Sequence, residues 1–305
     1  MSIQQKLRTI FGASLQMTPV SHNDGDNEIF NEGRRLYLRK RSSMMPTEIA
    51  NQFVAARRHG RHLPEYPGPI PQSLSAAYAV QDAAIHATGQ SVIGWKVGRI
   101  FPPLSEKFGA NRLAGPIFTA HTLSADAVAS GNIFTGGFGA AEAEFLIKIG
   151  SDLPLGKQDY TLEDAERQIA AVHVGIEIAS SPLPTINELG PAVTVSDFGN
   201  NNGLIIGQAI PDWQNSNFAD WDVRLEIDGN VAGSGSANAF PDGPLGAVRF
   251  LLNNLGERGI AIKAGTWISS GAVTGVHQVT PGQSVQAFFD TSLLVSCTIE
   301  AAPIV

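Results

Sequence analysis

Three short stretches carry side chains whose type and spacing could do chemistry. In Gly139-Ala-Ala-Glu-Ala-Glu-Phe-Leu-Ile147, read as a strand, successive side chains alternate faces, so Glu142 and Glu144 project from the same side. Two carboxylates at that spacing repel unless solvent or a cation takes up the charge. Hard divalent ions such as Mg²⁺ or Mn²⁺ prefer oxygen ligands of this kind. A Glu-x-Glu pair alone is common on the wet face of an antiparallel strand, so a second feature is needed. His173-Val-Gly-Ile-Glu-Ile-Ala179 supplies it. Val174, Ile176 and Ile178 take one face, while His173, Gly175 and Glu177 take the other. A carboxylate on an otherwise apolar strand needs a partner, and a cation shared with Glu142 and Glu144 would be one. Gly175 would leave room for a ligand to approach, and His173 reads as a packed or hydrogen-bonded side chain rather than a ligand.

The third stretch is Gly94-Trp-Lys-Val-Gly98. A lysine between two glycines in an apolar strand is expected to be partly buried. Burial would lower its pKa and suit Lys96 to proton transfer or to binding an anionic substrate. Two glycine-rich runs, Asn200–Gly203 and Ser269–Gly275, offer backbone N–H groups and small side chains that could cradle a carboxylate, or they form ordinary turns. No P-loop, dinucleotide fingerprint or Gly-x-Ser-x-Gly elbow is present. The single cysteine, Cys297, cannot form an internal disulfide or a Cys-based zinc cage and reads as a buried thiol in a strand.

These residues need a rigid scaffold, and the chain can build one. It has 305 residues, 43% hydrophobic and 16% charged, enough for a substantial core. Its net charge of −7 gives no electrostatic support for nucleic-acid binding. No apolar run is long enough for a membrane span and no secretory signal is evident, so the expected location is the cytoplasm. Residues 1–43 mix acidic and basic clusters and read as a loosely ordered extension. Residues 44–90 read as a small helical cap, with one helix after Thr47 and another from Ser73 to Ala87 ended by Gly89. Residues 91–305 read as the metal-binding catalytic domain. Its strands include Val92–Val97, Glu144–Ile149, His173–Ile178, Leu204–Gly207, Val223–Ile227, Thr266–Ser269, Val285–Phe289 and Leu293–Ile299, with Asp228-Gly229-Asn230 as a hairpin turn. Helices are expected from Thr161 to about Ala171 and over Leu245–Leu255. Strands dominate without regular βαβ alternation, which predicts an α+β fold on a mixed, strongly curved sheet.

Taken in order, Gly94-Trp-Lys-Val-Gly98, Gly115-Pro-Ile-Phe118, Glu142-Ala-Glu144, Gly175-Ile-Glu177, Val195-Ser-Asp197 and Ala264-Gly-Thr-Trp-Ile-Ser-Ser-Gly271 resemble the 2-keto-4-pentenoate hydratase group of the fumarylacetoacetate hydrolase superfamily. The likeness covers residues 46–303. It implies a mixed β-roll, a homo-oligomer, and a divalent cation, Mg²⁺ or Mn²⁺, on Glu142, Glu144 and Glu177. Lys96 would be the catalytic residue, with Asp197, Ser270 and Gly271 as substrate contacts. The partner would be a small 2-oxo or 2-hydroxydienoic acid. Two positions depart from the pattern: Leu113 stands where such hydratases often carry an acid, and Ala140 where they often carry a base. The leading expectation is hydration of a 2-hydroxy-2,4-dienoate to a 4-hydroxy-2-oxo acid. The alternatives are decarboxylation of a 2-oxo diacid, hydrolytic C–C cleavage of a diketo acid, and metabolite binding without turnover.

Overall fold

A computed structural model describes residues 27–32, 35–40, 45–123, 129–290 and 292–304. It divides into two units, Met1–Ser43 and Met44–Val305. In the first, β1 (Asn27–Glu32) and β2 (Arg35–Lys40) form an antiparallel pair. These two strands fall within the segment read from sequence as a loosely ordered extension, and the rest of that segment lies outside the described residues. The register sets Glu28 opposite Arg39 and Glu32 opposite Arg35.

In the second unit the helical segment and the strands form one compact body. An eight-stranded mixed sheet carries, in order along its main path, β4 (Arg112–Ile117), β3 (Gly94–Arg99), β12 (Trp267–Ser269), β7 (Phe138–Ile149), β8 (Ile169–Ser181), β9 (Asn201–Ala209) and β5 (Ala120–Thr122). The short strand β13 (His277–Gln278) pairs with β7 beyond the end of β12. A five-stranded sheet has the order β11 (Asn230–Gly235), β10 (Val223–Ile227), β14 (Ser284–Phe289), β15 (Leu293–Ala301) and β6 (Ala129–Ile133). Parallel pairs β3–β12, β5–β9 and β6–β15 sit among antiparallel ones, which makes the roll mixed.

Alternation along β7 and β8 divides two environments. Ala143, Phe145 and Ile147 join Val172, Val174 and Ile176 in the main core, against Val285, Ala287, Phe289, Val295 and Cys297. Phe145 meets the rings of Phe218 and Phe289 edge-on at 4.9 and 5.3 Å, an arrangement aromatic quadrupoles prefer. Helix α6 (Gly243–Glu257) adds Val248, Leu251, Leu252 and Leu255 to that core. The opposite face of the large sheet holds Glu142, Glu144 and Glu177. A smaller core flanks it, built from α1 (Pro46–Arg58), α2 (Leu74–Thr88) and α5 (Pro191–Ser196). Helix α3 (Leu104–Phe108) follows β3, and helix α4 (Leu162–Arg167) is shorter than its pattern suggests, because β8 begins at Ile169 and its ladder with β7 takes the following residues. No helix among the described residues is long and apolar enough to cross a membrane.

Candidate metal centre

The register of β7 and β8 sets Glu142 directly opposite Glu177 and Glu144 opposite Gly175. All three carboxylates are buried, with Glu144 and Glu177 wholly inaccessible. Each offers an oxygen, and these three atoms lie within 4.8 Å of one another. The hydrogen bonding of the cluster is one-sided. Glu144 Oε2 accepts from the backbone N–H of Gly271 at 2.9 Å and from the Ser269 hydroxyl. Glu177 Oε1 accepts from Asn201 Nδ2 at 2.9 Å and faces Lys96 Nζ at 3.3 Å. The remaining oxygens, Glu144 Oε1 and Glu177 Oε2, are buried without a partner. An unpartnered buried acceptor costs about 1–3 kcal/mol, and more when charged. One oxygen fixed by the protein and the other left free is the arrangement a hard cation requires.

The electrostatics agree. Burial, reinforced by the Glu177 charge and opposed by Lys96, pushes the Glu142 carboxyl up to about 7. Burial, then Glu177 and Glu142, hold Glu144 well above the usual carboxylate range. One ammonium does not balance three carboxylates, so the cluster must take up protons or a further cation. The donor set fits a divalent ion. For Lys96 the sequence expectation is reversed: burial depresses its pKa, but Glu177, Glu142 and Glu144 together outweigh burial and leave the pKa above its ordinary value. The side chain is an ammonium, not a neutral amine.

The elements that hold these groups are neighbours in the sheet. β3 brings Lys96, β12 Ser269, β7 Glu142 and Glu144, β8 Glu177 and β9 Asn201. A Cβ at Gly115 would lie 2.1 Å from Phe198 O, so only glycine there lets the 198–200 turn close on β4. Gly175 has a different role from the one expected. A Cβ there would meet Leu146 Cδ1 at 2.2 Å, so Leu146, and not an approaching ligand, fills the space. His173 packs as expected, its Nδ1 2.9 Å from Gly207 O and its ring edge-on to Trp267.

The three expected substrate contacts fall in three places. Asp197 is fully buried and held by Arg57 and Ser181. The Ser270 hydroxyl donates to Phe145 O at 2.8 Å, and Gly271 holds Glu144 through its N–H. A cleft of about 540 Å³ opens beside the carboxylates, and Lys96 and Glu142 line it. Its other walls include Arg99, Asn200, Leu113 and Phe240. Asn201 and Ser269, which hold Glu177 and Glu144, lie in the two glycine-rich runs.

The fold recurs among solved structures. The structure superimposes on 4-oxalocrotonate decarboxylase from Pseudomonas putida G7, complexed with magnesium and adipate, with a TM-score of 0.70 at 21% identity over 83% of this chain and 97% of that one. Fumarylpyruvate hydrolase from Pseudomonas aeruginosa, complexed with Mn²⁺ and pyruvate, aligns with a TM-score of 0.51 at 15% identity, over 71% of this chain and 94% of that one. In sequence, 91 residues are 32% identical to a 4-oxalocrotonate decarboxylase from Pseudomonas putida, a match that spans 30% of this chain and 34% of that protein. The chain thus aligns with about a third of the length of that curated relative. No protein-family profile matches it.

Proposed function

We propose that the chain is a member of the fumarylacetoacetate hydrolase superfamily and a divalent-metal-dependent decarboxylase of an unsaturated 2-oxo dicarboxylic acid. The observation that carries this reading is the buried three-carboxylate cluster, with its two free oxygens, beside a cleft that Lys96 enters. When bound, the cation supplies electrophilic stabilisation of negative charge on the 2-oxo oxygen.

The chain's own residues fit the remaining needs. Loss of CO₂ breaks the bond to the second carboxylate, and its electron pair moves through the carbon–carbon double bond onto the 2-oxo oxygen. A proton then returns to carbon, and the Lys96 ammonium, which lines the cleft, would deliver it. Arg99, stacked over Phe101 and Phe240 at 4.7 and 5.3 Å, lines the same cleft and can draw in a second carboxylate. Leu104, Leu113 and Phe240 give that end of the substrate an apolar wall.

Hydration of a 2-hydroxydienoate, the leading expectation from sequence, is the second reading on the same cluster. It also needs a base to activate water. Among the described residues, the ionisable side chains lining the cleft are Lys96, Arg99 and Glu142, and buried Leu113 stands where an acid would serve. The sequence and fold likenesses to 4-oxalocrotonate decarboxylases favour decarboxylation.

The test is turnover of a 2-oxohexenedioate by the Mg²⁺-loaded protein. CO₂ should appear in step with substrate loss, stop with chelator and resume with Mn²⁺. Lys96→Met should keep metal affinity and lose about 10²–10⁴-fold in kcat. Water addition to a 2-hydroxydienoate without CO₂ release would reverse the ranking. Inertness toward both would leave hydrolytic cleavage of a diketo acid and metabolite binding without turnover.

A further inference from the structure

Three successive asparagines, at the end of the turn that closes over Lys96 and the start of β9, have amides in different environments. Asn201 is fully used: its Nδ2 donates to Glu177 and its Oδ1 accepts from Gly203 N at 3.0 Å. Asn202 is also used, its Nδ2 donating to Asn132 O at 2.6 Å and its Oδ1 accepting from Arg57 at 3.3 Å. Asn200 differs. It is 3% exposed and lines the cleft with Lys96 and Glu142, yet its Oδ1 has no hydrogen-bond partner. A buried amide left unsatisfied beside two matched ones calls for an explanation.

The backbone shows that this placement is enforced. Phe198, Gly199 and Asn200 have φ values of 56, 64 and 67° in succession. The left-handed region disfavours ordinary side chains and persists only where surrounding packing dictates it. Here Phe198 is wedged edge-on against Phe118 at 5.0 Å, and the Arg57 guanidinium lies 4.9 Å from its ring. Gly199 meets the Lys96 stem, a Cβ there lying 3.0 Å from Lys96 Cδ. Asn200 N donates to Asp197 O at 2.9 Å and ties off the turn. Together these contacts turn one amide into the cleft beside the proton-delivering lysine.

We propose that Asn200 is a substrate-contacting residue whose carboxamide hydrogen-bonds an oxygen of the 2-oxo acid at its metal-facing end. An amide suits this position because its two ends accept and donate by a half-turn. It can accept from an enol O–H and donate to the oxygen once that oxygen is charged. This inference rests on the function proposed above and adds a residue to it.

The experiment measures binding of 2-oxoadipate, a saturated 2-oxo diacid, to the Mn²⁺-loaded protein by calorimetry. Thermal midpoints and Mn²⁺ affinities are recorded alongside. Asn200→Gly is the informative variant, because glycine adopts a positive φ freely and removes only the amide. It should retain the parental midpoint or exceed it and bind Mn²⁺ within about twofold, while 2-oxoadipate affinity falls on the order of 10- to 100-fold. Asn200→Asp, which also tolerates this backbone, places an anion against an anionic ligand and should lose more. Parental affinity for 2-oxoadipate in folded Asn200→Gly overturns the proposal while leaving the proposed function intact. Parallel loss of Mn²⁺ affinity also overturns it, since the residue would then act on the metal. Failure of the Mn²⁺-loaded parent itself to bind 2-oxoadipate removes the functional reading and this inference with it.

Discussion

Two buried charged clusters face the same side of the large sheet, and they are built in opposite ways. Around Asp197 every charge is matched. Arg57 Nε lies 2.6 Å from Oδ1, an Arg57 terminal nitrogen lies 3.0 Å from Oδ2, and Ser181 donates to Oδ2 at 2.6 Å. The spare guanidinium donors reach Ser180 O and Asn201 O at 3.0 and 3.2 Å. No side-chain atom of Arg57 or Asp197 is buried and unsatisfied. Around Glu142, Glu144 and Glu177, by contrast, one lysine faces three acids, and two carboxylate oxygens have no partner. A folded chain gains nothing from such an imbalance unless something else completes it. The matched pair reads as structure, joining α1 to the start of β9, and the unmatched cluster as a receptor for a cation.

The sharpest way to break this comparison is to remove one partner from each cluster. Arg57→Met strands a fully buried carboxylate and should cost about 3–5 kcal/mol. For a domain of this size that is a fall in thermal midpoint on the order of 10 °C, read by calorimetry on the metal-free protein. Glu177→Gln should do the reverse without metal, holding or raising the midpoint, because it relieves repulsion within the cluster. Its effect should appear in titration with Mn²⁺, as a loss of at least about 100-fold in affinity. If Glu177→Gln destabilised the metal-free protein as much as Arg57→Met does, the two clusters would be the same kind of object.

The sequence makes one of these clusters legible and leaves the other hidden, for a physical reason. Glu142, Glu144 and Glu177 stand out because strand alternation places polar residues where a face should be apolar, and strands carry that period wherever they lie. The same rule supports the mixed roll and strands such as Val223–Ile227, which match their expected bounds. Arg57 gives no such signal. It sits near the end of an amphipathic helix, and its partner lies 140 positions away. Asp197 therefore stood as a substrate contact, although the structure commits it to Arg57 and Ser181. Lys96 shows a third limit. Its burial follows from neighbouring glycines and apolar residues, but its charge state depends on carboxylates of other strands, whose distance no local pattern reports. Arg99 reaches the cleft from the last position of β3 and Asn200 from a turn, where strand alternation no longer guides the reading.

A smaller perturbation asks whether the asymmetry within each carboxylate matters. Ser269 and Gly271 hold Glu144 Oε2 and leave Oε1 free. Ser269→Ala removes the hydroxyl donor while the backbone donor stays, so Glu144 keeps its place but loses orientation. Groups that orient metal ligands typically contribute about 10–100-fold in metal affinity. The expected result is a Mn²⁺ affinity at the weak end of that range with the metal-free midpoint almost unchanged. Unaltered affinity would mean that Gly271 alone aligns the ligand.

The last test changes no residue. The Glu142 carboxyl titrates at about 7 because burial, with Glu177, favours its neutral form. Its folded-state value is therefore raised above that of the unfolded chain. Folding takes up a proton between the two values, and the metal-free protein loses stability as pH rises from the ordinary carboxylate range toward 7. Metal binding runs the other way, since a cation needs the ionised ligand and expels the proton. For one such proton, apparent Mn²⁺ affinity should rise about tenfold between pH 6 and pH 8. Glu144, raised by burial and by both neighbouring acids, steepens the slope in the same direction. Thermal midpoints measured with and without Mn²⁺ should then diverge as pH increases, the metal-free curve falling and the metal-bound curve holding or rising. The matched Arg57–Asp197 pair predicts no such divergence. Two curves that stay parallel across this range would show that the three carboxylates are ionised and balanced without a metal, and the contrast between the clusters would be lost.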